Sequence, residues 1–171
     1  GISSAYGLSY VPGTWIESIQ IIKGNGSVLN GPEAFTGQIN LEYYKPESSP
    51  KLLWNIYVNE EGKIENNLLL AKKNGKWKSN LLTHISYFDR EIDHHGTHHD
   101  HSDHSDHAGD KFLDMPKVKQ INLLNRWGYR DNKYHIAFIA RGLVEDREGG
   151  QISSKDIPNP YVVDIQNKLF E

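Results

Sequence analysis

Residues 11–45 read VPGTWIESIQIIKGNGSVLNGPEAFTGQINLEYYK, and the interpretation of the whole chain depends on this stretch. Two apolar, β-rich runs, 15–22 and 38–44, flank a segment with glycines at positions 24, 26, 31 and 37. Glycine adopts positive φ readily and lets backbones approach closely. The pattern therefore predicts a strand, a tight loop with a crossover, and a second strand.

Three segments follow one another inside this stretch: WIESIQIIKG at 15–24, GSVLNG at 26–31 and GQINLE at 37–42. In this order and spacing they resemble the last part of the plug domain of TonB-dependent outer-membrane receptors. In that family, I-E-x-I-x-x-x-K/R-G-x-x-S-x-x-x-G is followed by G-x-I-N-x. The resemblance implies that residues 1–47 are the C-terminal part of a plug domain.

The best domain boundary is the segment KPESSPK at 45–51, which holds two prolines and two serines. Beyond it, runs of β-type residues are separated by turn signals such as Glu60-Glu61-Gly62-Lys63 and Asn74-Gly75. Apolar residues recur at every second position of these runs, so each run is predicted to be a strand with one apolar face. The predicted strands are 51–59, 64–73, 77–89, 117–129, 134–144 and 161–170. Their apolar faces include Leu52, Trp54, Ile56 and Val58, then Ile121, Leu123, Trp127 and Tyr129, then Tyr134, Ile136, Phe138 and Ala140.

The lengths of the connections suggest a membrane barrel. Tight connections at 74–76 and 131–133 alternate with long ones at 90–116 and 145–160. Outer-membrane barrels place short turns on the periplasmic side and long loops outside, and roughly 9–11 tilted residues cross a bilayer as a strand. Aromatic residues near the strand ends (Tyr87, Phe88, Trp127, Tyr129 and Tyr134) suit the interfacial girdles. From periodicity alone, a soluble β-sandwich or meander is equally compatible.

Three shorter segments, DKFLDMP at 110–116, NRW at 125–127 and EDREGGQ at 145–151, look like the first barrel strands of Bacteroidetes-type receptors. The resemblance implies a mainly β protein in the outer membrane of a Gram-negative bacterium. Residues 48–171 are then the first six antiparallel strands of a 22-stranded transmembrane β-barrel in contact with outer-membrane lipid. The TonB–ExbB–ExbD complex energises such receptors through a segment upstream of residue 1. We therefore expect an internal fragment that does not fold stably alone in water.

The predicted extracellular loop, 90–116, contains the segment DHHGTHHDHSDHSDHAGD at 93–110. Neutral imidazole and carboxylate bind borderline divalent ions such as Zn²⁺, Cu²⁺ or Ni²⁺. The repeat has no loop-closing spacing, so we expect several exchangeable sites of modest affinity. The alternative is a polar loop whose histidines are only solvated. The candidate ligands are His94, His95, His98, His99, His101, His104, His107, Asp93, Asp100, Asp103 and Asp106.

The remaining features exclude several classes of function. A net charge of −3 leaves no basic footprint for nucleic acid, and the lack of cysteine rules out disulfides and thiolate metal sites within the chain. Ser27 does not lie in a Gly-x-Ser-x-Gly elbow, and there is no His-Glu-x-x-His, so no enzymatic activity and no obligatory cofactor are predicted. His84 and His135 occur singly in predicted strands and are expected to be packed or to face a lumen.

The expected function is the import of a metal ion or metal chelate by a TonB-dependent receptor, with the histidine loop capturing divalent metal. Zinc, copper, a ferric siderophore and a cobalamin-like chelate are all compatible with the sequence. The alternative from another class is a periplasmic or secreted β-domain that buffers zinc or copper. That alternative shares the histidine loop but needs neither a plug nor further strands.

Overall fold

The computed structural model describes residues 10–24, 37–93, 111–152 and 160–170. These residues are mainly β, with a short 3-10 turn at Gly13–Trp15 and no α-helix among them. The chain divides into two compact units. The first unit comprises Gly1–Leu53, Leu69–Leu82 and Asn125–Ile139, and the second comprises Trp54–Leu68, Thr83–Leu124 and Ala140–Glu171.

Within residues 11–45, β1 (Ile16–Lys23) and β2 (Gly37–Tyr43) form a two-stranded antiparallel sheet. The register pairs Ile19 with Leu41 and Ile21 with Ile39, and an irregularity interrupts it between Ile16 and Ser18. The predicted strand pair is thus confirmed, within one residue at each end. The predicted tight loop and crossover at 25–36 lie outside the described residues.

The predicted antiparallel sheet of six strands is confirmed. Its members pair in chain order, so that each strand lies beside its sequence neighbour. Five of the six strands match their predictions within two residues at each end, because period-two alternation and turn residues are local signals. The strands are β3 (Leu52–Val58), β4 (Ile64–Asn74), β5 (Trp77–Phe88), β6 (Lys117–Arg130), β7 (His135–Gly150) and β8 (Val162–Phe170).

The prediction that residues 145–150 are part of a loop is wrong. These residues belong to β7. This hydrophilic segment pairs in register with β8, from Glu145 opposite Asn167 to Gly150 opposite Val162. Glu145 is buried, and the Arg147 guanidinium donates to its Oε1 from Nε at 2.9 Å and from Nη2 at 2.6 Å. Because the Arg147 guanidinium neutralises and hydrogen-bonds the buried carboxylate, this segment can form a strand. It lacks the apolar alternation from which strands are predicted.

Two tight turns lie in the first unit. Gly75 has φ of 57°, the left-handed region that a two-residue hairpin between β4 and β5 favours. In the turn between β6 and β7, the Asp131 amide donates to the Tyr134 carbonyl at 2.8 Å, and Lys76 Nζ lies 2.8 Å from Asp131 Oδ2. The hydrogen bond from the Lys76 ammonium holds the pKa of Asp131 below its usual value.

The predicted boundary at 45–51 is a turn bound to the strands of the first unit. Asn80 Nδ2 donates to the Tyr44 carbonyl and to Ser49 Oγ, each at 2.8 Å, and Arg126 Nη1 lies 3.4 Å from the same carbonyl. Lys73 Nζ donates to the Glu47 carbonyl at 2.7 Å. These bonds join positions up to 82 residues apart. The segment therefore connects the two sheets as a fixed element.

Candidate functional site

Part of the larger sheet has inverted polarity, and β6 displays this most clearly. Gln120 and Asn122 are 4% and 0% exposed, whereas their neighbours Ile121 and Leu123 are 49% and 44% exposed. In an antiparallel sheet of a water-soluble protein, the apolar face is the one packed on the core. Here the covered face carries these amides together with the buried Leu124, and the open face carries aliphatic side chains.

A similar inversion occurs along β5, where His84 and Ser86 are buried beside Leu82 and Phe88, and Ile85 and Tyr87 are exposed. The exposed side chains at the apolar positions of β3 to β7 are called the apolar set. In the first unit its members are Leu52, Leu70, Trp77, Trp127, Ile136 and Phe138. In the second unit they are Trp54, Ile56, Val58, Ile64, Ile85, Tyr87, Ile121, Leu123 and Val144.

Aromatic residues gather beside the two tight turns of the first unit. The rings of Trp77 and Tyr129 lie 4.9 Å apart, and Trp127 and Tyr134 are exposed. Amphipathic aromatic rings are favoured where an apolar phase meets water. Of the five residues predicted for girdles, Phe88 does not fit, because it is buried on the face that also carries Ser86.

The polar face of the second unit contains a hydrogen-bonded histidine. His84 is buried, and its Nδ1 lies 2.7 Å from Asn67 Oδ1, so the Nδ1 hydrogen donates to the amide oxygen. His84 is thus packed, as predicted. His135 is exposed and lines a cavity in the first unit.

Charged residues of the second unit form a separate cluster at the ends of β5, β6 and β7. Lys119 Nζ lies 3.1 Å from Asp89 Oδ2, and Lys117 Nζ lies 2.9 Å from Glu91 Oε1 and 3.2 Å from Glu148 Oε1. The hydrogen bond from the Lys119 ammonium holds the pKa of Asp89 below its usual value. Exposed ion pairs of this kind contribute little to the free energy of unfolding. The cluster makes this end of the three strands polar and charged.

The predicted metal loop falls almost entirely outside the described residues: of its eleven candidate ligands, only Asp93 is described. Asp93 Oδ2 accepts a hydrogen bond from the Lys111 amide at 3.1 Å, and the Asp114 amide donates to the Ile92 carbonyl at 3.0 Å. These bonds hold the two ends of the segment side by side. Within the described ranges, no three histidines or carboxylates lie close enough to share a metal ion.

Sequence reasoning missed the part played by Asn80 and Arg126, whose side chains hold the 44–49 segment. Asn80 occupies an inward position of β5, two residues from Leu82, and is 1% exposed. A polar residue at a covered position needs partners. Its place in the alternation was therefore a signal for contacts distant in sequence, although it could not identify Tyr44 and Ser49.

No family model, no curated protein and no solved structure matches this chain. A helix long and apolar enough to cross a membrane is absent from the part of the chain that the structure describes.

Proposed function

We propose that this chain is part of a TonB-dependent outer-membrane transporter that imports a metal ion or a metal chelate. Residues 1–47 contribute the end of a plug, and residues 48–171 contribute the first strands of the barrel. The observation that carries the proposal is the inverted polarity along β5 and β6, where polar side chains are buried and apolar ones are exposed. A barrel wall faces lipid with its apolar side chains and faces its lumen with polar ones.

The size of the apolar set supports a lipid environment over water. Fully burying one Val, Leu, Ile or Phe side chain gains about 1.5–3 kcal/mol, so covering half of it gains roughly 1 kcal/mol. Applied to the fifteen members of the set, this sums to about 15 kcal/mol, comparable to the whole stability of a typical domain. Contact with lipid would gain this free energy, which is forgone while the side chains stay exposed to water.

The connections support one orientation in the membrane. The first unit contains the two tight turns, at 75–76 and 131–134, together with the fastened 44–49 segment. The second unit contains the longer connections at 59–63, 89–116 and 151–161. Short turns on the side where a plug enters, and long loops outside, are typical of outer-membrane barrels. The histidine loop then lies outside the cell.

The fractionation of source cells tests this proposal. We expect an antibody raised against residues 90–116 to detect a band far larger than 19.5 kDa in the outer membrane, with mobility that changes on boiling, because closed barrels resist detergent until heated. A periplasmic band near 19.5 kDa without a heat shift would contradict it. That result would favour the alternative, a soluble β-domain that buffers zinc or copper through the same loop.

Metal capture by the histidine loop is tested separately. Replacing its seven histidines by asparagine, with Asp93 kept so that the bond to Lys111 survives, should lower uptake at limiting metal several-fold. Binding needs neutral imidazole, so zinc retention by the native loop should fall as pH drops below about 6.5. Glu60→Gln, at an exposed position outside both the loop and the cavity, is the control. Unchanged zinc binding and uptake in the loop variant would remove the capture role.

A further inference from the structure

A cavity of about 510 Å³ lies within the first unit, between the 45–47 segment and strands β6 and β7. Small-molecule sites typically have volumes of roughly 300–1,000 Å³. Four side chains able to carry positive charge line this cavity, and one carboxylate, that of Glu47, opposes them. The four are Lys45, Arg126, Arg130 and His135.

Arg126 is the best placed of these groups. It is half-buried, its guanidinium carbon lies 5.4 Å from the centre of the Tyr43 ring, and its Nη1 is 3.4 Å from the Tyr44 carbonyl oxygen. Its Nε is buried and has no hydrogen-bond partner among the described residues. Buried donors are normally paired, so this Nε–H is available to an acceptor from outside the described part of the chain.

The other cations of the cavity are weakly held. Lys45 Nζ lies 3.7 Å from Glu42 Oε1, and both side chains are substantially exposed. The Arg130 and His135 side chains are exposed and make no ion pair within the described ranges. The cavity therefore has an excess of positive charge and several donors free to rearrange around a ligand.

The rest of the lining is apolar and includes Ala137 and Ile139. We propose that this cavity binds a small organic anion, with the guanidinium groups of Arg126 and Arg130 contacting its carboxylate or phosphate oxygens. The planar guanidinium matches both groups in bidentate geometry. The apolar wall accommodates the carbon skeleton. All of the lining residues belong to the first unit, and two of them, Trp127 and Phe138, are also members of the apolar set.

Calorimetric titration of the complete protein with citrate and with inorganic phosphate tests the site and distinguishes the two chemistries. We expect at least one probe to bind. Arg130→Gln should weaken that binding about tenfold or more, since a lost charge-assisted hydrogen bond has an effect of this size. Gly128→Leu should abolish it by filling the cavity, because Gly128 belongs to the lining. Lys72→Gln removes an exposed cation outside the cavity and should change nothing.

Each variant is first required to keep the near-ultraviolet circular dichroism of the native protein. The proposal is wrong if neither probe binds at millimolar concentration, or if Arg130→Gln and Gly128→Leu bind as well as the native protein does. It is also wrong if an Arg130→Cys variant is shielded from a small thiol reagent without added anion, since another part of the protein then fills the cavity. If the protein is soluble and binds citrate, the anion site is supported and the transport proposal is contradicted.

Discussion

Under the transport proposal, Leu123→Arg should prevent the protein from assembling in the outer membrane, although it replaces a side chain that is 44% exposed. An arginine on the lipid face of a barrel costs about 2–4 kcal/mol near the middle of the bilayer. In a soluble β-domain, a polar substitution at an exposed position changes stability by no more than about 0.5 kcal/mol. The substitution should therefore disrupt a membrane barrel and leave the stability of a soluble β-domain nearly unchanged.

The measurement is the amount of heat-modifiable protein in the outer membrane. Glu60→Arg is the matched control, because it introduces the same residue at an exposed position in the connection between β3 and β4. It should leave assembly unchanged. Normal assembly of Leu123→Arg, or equal loss with Glu60→Arg, would contradict a lipid-facing role for this side of β6.

Trp15→Ala should loosen the small sheet of β1 and β2 more than any exposed substitution. Trp15 is 1% exposed and meets the Tyr43 ring edge-on, with the centroids 6.2 Å apart. Removing a buried tryptophan side chain costs about 3–5 kcal/mol, because the surroundings only partly fill the space it leaves. Its backbone bonds survive the change, including the one from the Tyr44 amide to the Trp15 carbonyl at 2.9 Å. The loss is therefore one of packing.

Hydrogen exchange of the amides in 16–23 and 37–43 is the readout, since it reports local opening without assuming that the whole protein unfolds in one step. Trp54→Ala removes the same residue type at a position that is 64% exposed and belongs to the second unit. Exchange in the small sheet should accelerate in the first variant and stay native in the second. Equal acceleration in both would mean that Trp15 does not anchor this sheet.

The sequence predicts that the strands of the candidate site have a polar face and an apolar face, but it does not predict which face is buried. The alternation Gln120, Ile121, Asn122, Leu123 predicts two faces of one strand. It does not say which face is covered, because an apolar face packs inward in a soluble protein and outward in a membrane barrel. The resemblance in residues 11–45 suggested the second arrangement, which stays a proposal, and the structure adds that the amides of Gln120 and Asn122 are buried. The histidine loop remains a sequence-based prediction beyond Asp93.

The sequence by itself determined where the strands lie, that six of them follow one another in a single sheet, and where the chain turns tightly. These properties depend on side chains one or two positions apart and on glycine at turns. Only the tertiary structure decided that residues 145–150 extend β7, that Asn80 and Arg126 hold the 44–49 segment, and that four basic side chains share one cavity. Those outcomes depend on groups far apart along the chain, whose meeting is set by strand pairing and by the need of buried polar atoms for partners.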